Sequence, residues 1–414
     1  MVRPQDPQRY GRFAGGLITL AGEQCGGLRR LGCSWWGDMM WELGEQYRID
    51  IPDEIYSPSL VVFRPLLIRN IERMLQIAGD VRRLRPHCKT HKLAEVVRLQ
   101  VDRGVTRQKC ATLAEAEMAA RAGCDDILLA YNLLGPNIFR AVTFRQTFPH
   151  IRFAATADDL SAVTALGRAL SQAGTSMGLM VDINPGRDRT GLPPDDSAFA
   201  LYRHIAATPG VEPAGLHVYD GHHHQRDFDA RCAAVDAEWT EVDSLRRRLL
   251  DAGLPVPEIV CGGTPTFPVH ARRADPAVSL SPGTCLFHDV GYGENFPDLT
   301  GFTPAALVLT RVVSRPTGQR VTFDCGTKSV ASDPPMGSRV AIPAIPDARQ
   351  VLHNEEHLVV ETAAADAWRP GDWTLVIPRH ICPTTALHQS VTVIDEGMIV
   401  DRWPVLARNR VLTI

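Results

Sequence analysis

Arg85-Pro86-His87-Cys88-Lys89-Thr90-His91-Lys92 (RPHCKTHK, 85–92) follows an apolar-flanked stretch and precedes a helical pattern. As a strand over 84–89 its side chains alternate between faces. Leu84, Pro86 and Cys88 share one face, and Arg85, His87 and Lys89 share the other. Three polar side chains on one buried face are costly unless they hold something. A lysine at the C-terminal end of a strand, beside other cationic groups, is where a lowered amine pKa and Schiff-base chemistry are expected. A solvated basic turn has the same composition, so the rest of the chain decides between the two.

Outward from this run the pattern is regular. Leu60-Val61-Val62-Phe63 reads as a strand, and Leu67, Ile71, Met74 and Ile77 have helical spacing. Strand-like runs follow at 81–89, 107–111, 126–131, 151–155, 177–183, 214–219, 257–261 and 278–286. Alanine- and leucine-rich helical stretches, such as 113–122, 158–173 and 231–252, separate them. Alternation of this kind predicts an α/β fold, a (β/α)8 TIM barrel over 56–300. Residues 1–55 read as an N-terminal extension in which Trp35, Trp36 and Trp41 predict at least partial packing. From 301 the grammar changes. Runs at 305–314, 320–323, 356–361, 374–377 and 390–394 are strand-like with no helices between them, which predicts a C-terminal β-rich domain over 301–414.

Composition narrows the function. Lys and Arg number 44 against 47 Asp and Glu, a net charge of −3 over 414 residues. No basic surplus exists to meet phosphates, which argues against nucleic-acid and anionic-membrane binding. No apolar run approaches the roughly 18 residues of a membrane span. Arg3, Arg9 and Arg12 precede only a short, glycine-diluted apolar stretch, so a cytoplasmic location is expected. The ten cysteines are scattered without CxxC pairs and read as reduced thiols.

In a barrel of this kind, functional groups sit at the C-terminal ends of strands. Lys89 and His87 end the first strand and are the candidate catalytic residues. The fifth strand leads to Arg189-Thr190-Gly191 and the sixth to Tyr219-Asp220-Gly221-His222. Gly262-Gly263-Thr264-Pro265-Thr266 follows the seventh, and Pro282-Gly283-Thr284 lies on the eighth. The Gly262–Thr266 turn can cradle a phosphate, because glycines let backbone amides approach an anion and threonines add hydroxyl donors. Opposite a Schiff-base lysine, such a cradle is what pyridoxal 5'-phosphate needs. Far downstream, His380 and Cys382 are two apart in Arg379-His380-Ile381-Cys382-Pro383-Thr384. On an extended strand they would project to one side as ligands of one ion. Imidazole with thiolate suits zinc better than manganese or magnesium, and two protein ligands leave room for substrate. By spacing alone a buried cysteine beside a structural histidine is commoner. His222-His223-His224 reads mainly as loop, with only His222 at a defined position, and Glu355-Glu356-His357 as a solvated edge.

Taken together, RPHCKTHK (85–92), RTG (189–191), YDGH (219–222), GGTPT (262–266), PGT (282–284), DCGTK (324–328), EEH (355–357) and HICPT (380–384) resemble the D-threonine aldolase and D-serine dehydratase family. That family lies within the alanine-racemase-like, fold type III pyridoxal phosphate enzymes. The resemblance covers roughly 57–414. It implies that Lys89, in preference to Lys92, carries the cofactor and that Gly262, Gly263, Thr264 and Thr266 grip its phosphate. Tyr219 lies near the pyridine nitrogen by the same resemblance, and Arg189 near the phenolic oxygen. His380 and Cys382 resemble the metal ligands. The family usually has tyrosine after PGT, where Cys285 stands here.

The activity implied is that of a pyridoxal-phosphate- and divalent-metal-dependent lyase on D-β-hydroxy-α-amino acids. The Cys382 ligand and hydroxyl activation put dehydration of D-serine or D-threonine to a 2-oxo acid and ammonia first. Aldol cleavage to glycine and an aldehyde is the alternative. An amino-acid racemase on this scaffold would need a second acid/base and no metal. A non-catalytic cofactor-binding protein would be a bare barrel without the 301–414 region. A small-molecule substrate and a homodimer are the partners the family implies.

Overall fold

The computed structural model describes residues 43–414. Trp35, Trp36 and Trp41, and the packing expected of them, lie outside the described residues.

The chain begins in one sheet, builds a barrel, and returns to the first sheet. β1 (Ser59–Phe63) is wholly apolar after its first residue and is buried throughout. α1 (Arg64–Ala78) follows directly, with Pro65 in its first turn and Leu67, Ile71 and Met74 on its buried face. α2 (Ala94–Val101) precedes β2 (Arg107–Cys110), and from there strand and helix alternate. The sequence is α3 (Leu113–Arg121), β3 (Asp126–Asn132), α4 (Pro136–Thr147), β4 (Arg152–Ala157), α5 (Leu160–Gln172) and β5 (Met177–Ile183). It continues through α6 (Asp196–Ala207), β6 (Val211–Val218), α7 (Phe228–Asp251), β7 (Ile259–Cys261), α8 (Phe267–Ala271), β8 (Val278–Leu280) and α9 (Val290–Asn295). Thr112, Asp159, Asp195 and Asp227 each cap the helix that follows by accepting a backbone N–H, which fixes where four of the crossovers start.

β2 to β8 form one parallel sheet in sequential order. Residues 84–87 close it. The Arg85 amide donates to Leu280 O on one edge and the Lys109 amide to Pro86 O on the other, each at 2.8 Å. Parallel bridges at Leu84–Leu280 and His87–Lys109 match these bonds. The expected first strand over 81–89 is therefore only a short stave. Val81–Arg83 and Cys88–Thr90 are single 3-10 turns at its two ends. Pro86 lacks an N–H to extend the ladder, and the pairing is completed only by the His87 amide donating to Pro282 O at 2.7 Å.

Arg85 does not share the pocket with Lys89. Its guanidinium is 1% exposed inside the barrel and binds Asp126 at 2.8 Å and Glu258 at 3.0 Å. Arg107 joins the same carboxylates. Burial would raise the Glu258 carboxyl, but Arg85 and Arg107 hold it down at about 2. Arg85→Met should leave two buried carboxylates under-compensated and lower stability by about 3–5 kcal/mol, read as a shifted urea midpoint. A shift under about 1 kcal/mol would show that Arg107 alone suffices.

The second sheet runs β9 (Ala306–Thr317), β10 (Arg320–Phe323), β11 (Val340–Ala341), β12 (Arg349–His353), β13 (Leu358–Glu361), β14 (Trp373–Pro378), β15 (Ser390–Asp395) and β16 (Met398–Pro404). β1 lies between β9 and β15. The boundary at 300 thus separates the two sheets except for this one strand. The second region also holds a helix, α10 (Ile381–Leu387), where the sequence suggested strands alone.

Candidate active site

The site assembles where three rim turns of the barrel meet the start of α10. Lys89 sits in the 3-10 turn just beyond the first stave. Its ammonium lies 5.7 Å from the Tyr219 ring centroid. Lys109, at the inner end of β2, approaches the same ring at 5.7 Å, and the Arg189 guanidinium at 4.9 Å. Among the described residues none of these three cations is ion-paired. Three cations around one aromatic ring, without a carboxylate partner, leave positive charge that suits an anionic ligand.

Lys92 faces elsewhere. It is ion-paired with Glu115, which is fully buried on α3. Two lysines three apart in one motif are thereby separated into a free amine and a structural one.

Lys109 was not singled out in the sequence. It is 2% exposed, and its amine lies 3.4 Å from His217 Nε2, whose Nδ1 lies 2.7 Å from Asp182. Burial, then the nearby Lys89, bring Lys109 down to about 7. Burial and Lys109 likewise lower His217. Its signal in the sequence was a lysine inside an otherwise buried four-residue strand. His87 accepts the Lys89 backbone N–H on Nδ1 at 3.3 Å. Burial, then Lys89 and Lys109, hold its pKa well below the usual value, so it is a neutral imidazole that shapes the lysine turn.

The Gly262–Thr266 turn lies beside Tyr219. Gly262 has φ +78°, and a Cβ on Gly263 would stand 3.2 Å from Tyr219 Cε2. The left-handed backbone favours glycine at 262, and a side chain at 263 would crowd the ring. The threonines divide their roles. Thr266 donates to Asp220 at 2.7 Å and accepts the Gly263 amide at 3.1 Å. Asp220 is held further by His270 at 2.8 Å. Thr264 accepts the Gly283 and Cys285 amides at 3.3 and 3.2 Å, and its hydroxyl also meets the Cys285 thiol. The turn is thus tied to the loops after β6 and β8. Backbone amides, the Thr264 hydroxyl and the surplus cations together fit a phosphorylated, anionic cofactor.

Cys285 is fully buried and enters this network through its backbone amide and through a side-chain contact with Thr264. A phenol does reach the cavity wall, from Tyr292 on α9, in hydrogen-bonding contact with Thr284. Burial pushes that phenol well above its usual pKa.

His380 and Cys382 meet, though not as alternate residues of a strand. β14 ends at Pro378, His380 is the N-cap of α10, and Cys382 lies in its first turn. The turn folds the two side chains into hydrogen-bonding contact. Burial alone would raise the Cys382 thiol, but the His380 imidazole outweighs it and lowers it. His380, which burial would lower, is held up at about 9 by Cys382 and by Asp333, whose Oδ2 lies 2.5 Å from His380 Nδ1. A carboxylate on the second nitrogen orients an imidazole for metal binding. Thiolate, imidazole and that orienting carboxylate fit a zinc-class ion. Cys382 Sγ lies 3.2 Å from Thr90 Oγ1, next to Lys89 and 292 positions away in the chain, and 3.3 Å from Thr284 Oγ1. Asp289 accepts the Ile381 amide at 3.0 Å and the Tyr292 amide at 2.9 Å, pinning α10 to the barrel. Burial brings this carboxyl up to about 6.

A cavity of about 220 Å³ lies beside these groups, walled by Tyr219, His223, Gly263, Thr266, Tyr292 and His380. His222, His223 and His224 do not form a three-histidine cluster. His224 is exposed, while the first two turn to Glu238. Glu355 and Glu356 pair with Lys328 at the surface, away from this cavity.

A barrel with a lysine just beyond its first stave, joined to a β-rich region bearing a His–Cys pair, defines the class. Residues 66–290 match the alanine racemase N-terminal domain family and residues 305–394 a putative serine dehydratase domain. The chain belongs to the alanine-racemase-like family that includes the D-threonine aldolases and D-serine dehydratases. It is 29% identical over 360 residues to a D-threonine aldolase of Arthrobacter sp., covering 85% of this chain and 93% of that one. The crystal structure of D-threonine aldolase from Filomicrobium marinum superposes with a TM-score of 0.80 at 27% identity, over 87% of this chain and 97% of that one. A D-threo-3-hydroxyaspartate dehydratase of Delftia sp. is 28% identical over 239 residues, 56% of this chain and 62% of that one. The Delftia enzyme shares the fold, with a TM-score of 0.74, and one of its solved forms is a cysteine-to-alanine variant described as metal-free. Among the described residues no helix is long and apolar enough to cross a membrane.

Proposed function

We propose that this protein is a pyridoxal-phosphate- and divalent-metal-dependent lyase that cleaves D-β-hydroxy-α-amino acids between Cα and Cβ, giving glycine and an aldehyde. The observation that carries this is the contact between Cys382 and Thr90, which sets the His–Cys pair beside the one unpaired amine of the lysine turn. The D-threonine aldolase and the 3-hydroxy-D-aspartate aldolase are matched over 93% and 97% of their length, which favours carbon–carbon cleavage. Dehydration to a 2-oxo acid and ammonia is the second reading, supported by the Delftia relative and by the thiolate donor.

The roles follow from the chemistry of each group. When bound, pyridoxal phosphate supplies an electron sink for the negative charge left at Cα. Lys89 would attach it covalently and, once displaced by substrate amine, hold a proton at one face of Cα. Reaching only one face makes the enzyme selective for one enantiomer, the D form by family. The turn at Gly262–Thr264, with Arg189 and Lys109, would hold the cofactor's anionic groups. His380 and Cys382 would hold a zinc ion that supplies Lewis acidity toward the substrate's β-oxygen. Thr90, Thr284 and Asp333 orient the two ligands. Tyr219 would pack against the cofactor within the cations' reach.

Incubating holoenzyme with D-threonine and D-serine and analysing products tests the reaction. Glycine with acetaldehyde from D-threonine is the expected result. Formation of 2-oxobutyrate and ammonia instead would establish the dehydratase reading, and D-to-L interconversion alone would overturn both.

The cradle has its own test. Gly263→Val would press a branched side chain onto the Tyr219 ring. Cofactor affinity should fall at least about tenfold, the cost of roughly 1.4 kcal/mol of overpacking. Unchanged cofactor occupancy by absorbance titration would remove this turn from the site.

A further inference from the structure

His222 and His223 follow Tyr219-Asp220-Gly221 in the loop after β6, and Glu238 lies nearly three turns into α7. The fold brings the three together. His222 Nε2 lies 2.7 Å from Glu238 Oε1, and His223 Nε2 lies 2.9 Å from Oε2. All three donor atoms fall within 4.8 Å of one another, the one such group of three found among the described residues. The two imidazoles are chain neighbours, yet their rings lie side by side with centroids 4.3 Å apart. Consecutive side chains in a loop have no reason to converge unless one partner draws both.

The surroundings leave space at the donors. A Cβ on Gly186 would stand 3.5 Å from His222 Nε2 and 3.8 Å from Glu238 Oε1, so the glycine there keeps a side-chain volume open. His223 is 4% exposed at its side chain, while His222 and Glu238 are 23% and 26% exposed. An ion can therefore reach the cluster and still keep a position for water. Two imidazoles and one carboxylate are a donor set for zinc and its neighbours, whereas magnesium and calcium favour oxygen alone. Ligand bonds of about 2.0–2.2 Å place donors roughly 3–3.5 Å apart, a few tenths of an ångström beyond the present spacing. Torsions of the partly exposed His222 and Glu238 supply that. The cluster shares no residue with the His380–Cys382 pair, although His223 and His380 line the same cavity.

We propose that His222, His223 and Glu238 form a second divalent transition-metal site, of the zinc class, at the rim of the barrel. Its ion ties the loop carrying Tyr219 and Asp220 to α7, adding to the shared carboxylate and to the Arg231 bond to Gln225 O at 2.6 Å. A plain charge cluster would hold the same residues without metal, and metal stoichiometry separates the two.

The test uses full-length holoenzyme, stripped by chelator and re-equilibrated with zinc, with bound metal measured by elemental analysis. Cys382→Ser removes a ligand of the other site and should retain one equivalent of zinc per chain, against two in the unsubstituted protein. Adding Glu238→Gln, which keeps side-chain volume, or His223→Ala should weaken this remaining zinc by at least about 100-fold. Cobalt bound to Cys382→Ser should show ligand-field bands that vanish with Glu238→Gln. The cofactor absorbance and circular dichroism of each variant check that it is folded. Retention of no zinc by Cys382→Ser, or an equivalent that survives both Glu238→Gln and His223→Ala, would overturn the proposal. A zinc content of one that Cys382→Ser leaves unchanged would support this site while overturning the His380–Cys382 assignment.

Discussion

Lys89→Ala will yield a folded protein that no longer holds pyridoxal phosphate covalently, and turnover will fall on the order of 10⁴-fold or more. The visible absorbance of the attached cofactor should disappear, and borohydride should fail to fix cofactor to the chain. Stability should change little, because the Lys89 amine makes no ion pair and meets only the Tyr219 ring. Lys92→Ala should do the opposite. It leaves Glu115, fully buried, with its Oε2 bonded to the Ala111 amide at 2.6 Å but with its cation gone. Stability should drop by about 3 kcal/mol or more, since an uncompensated buried charge remains. Cofactor absorbance should persist in whatever fraction folds. If Lys92→Ala lost the cofactor signal and Lys89→Ala kept it, the two lysines would have been assigned the wrong way round.

Cys382→Ser will cost activity at least about 100-fold while cofactor binding stays nearly intact. The separation follows from where the groups come from. Lys89, Tyr219, Arg189 and the Gly262–Thr266 turn belong to the barrel, whereas Cys382 enters from α10 in the other region. A serine hydroxyl is a far weaker zinc donor than a thiolate, and His380 alone does not hold an ion tightly. Chelation should mimic the substitution reversibly, and added zinc should restore the unsubstituted enzyme but not Cys382→Ser. A metal-free preparation, verified by elemental analysis, that processes D-threonine and D-serine at full rate would sink the metal's role and reopen the racemase reading.

Much of this was legible in the sequence. The alternation of short β-rich and alanine-rich runs through 107–286 determined the barrel, because strand and helix periods differ and each run is long enough to show its own. Lys89, Tyr219, Gly262 and Gly263 could be placed at strand ends from that register alone. His380 and Cys382 were found by residue type, although the extended strand assumed for them is a helix start, where a cap turn happens to join positions two apart. Other features depended on tertiary structure. The pairing of β1 with β9 and β15 joins residues hundreds of positions apart, and no local pattern distinguishes a buried strand of one sheet from that of another. The fates of Arg85, Lys89 and Lys92, close neighbours in one basic run, were decided by Asp126 and Glu258, by the Tyr219 ring, and by Glu115. Lys109, Asp333 and Glu238 likewise gain their significance from partners brought by folding. The sequence determines which groups sit at which strand ends, since that is a matter of backbone period. Which cation is paired and which is left free is decided only when the carboxylates arrive, because charge compensation acts through space over a few ångströms and is independent of separation along the chain.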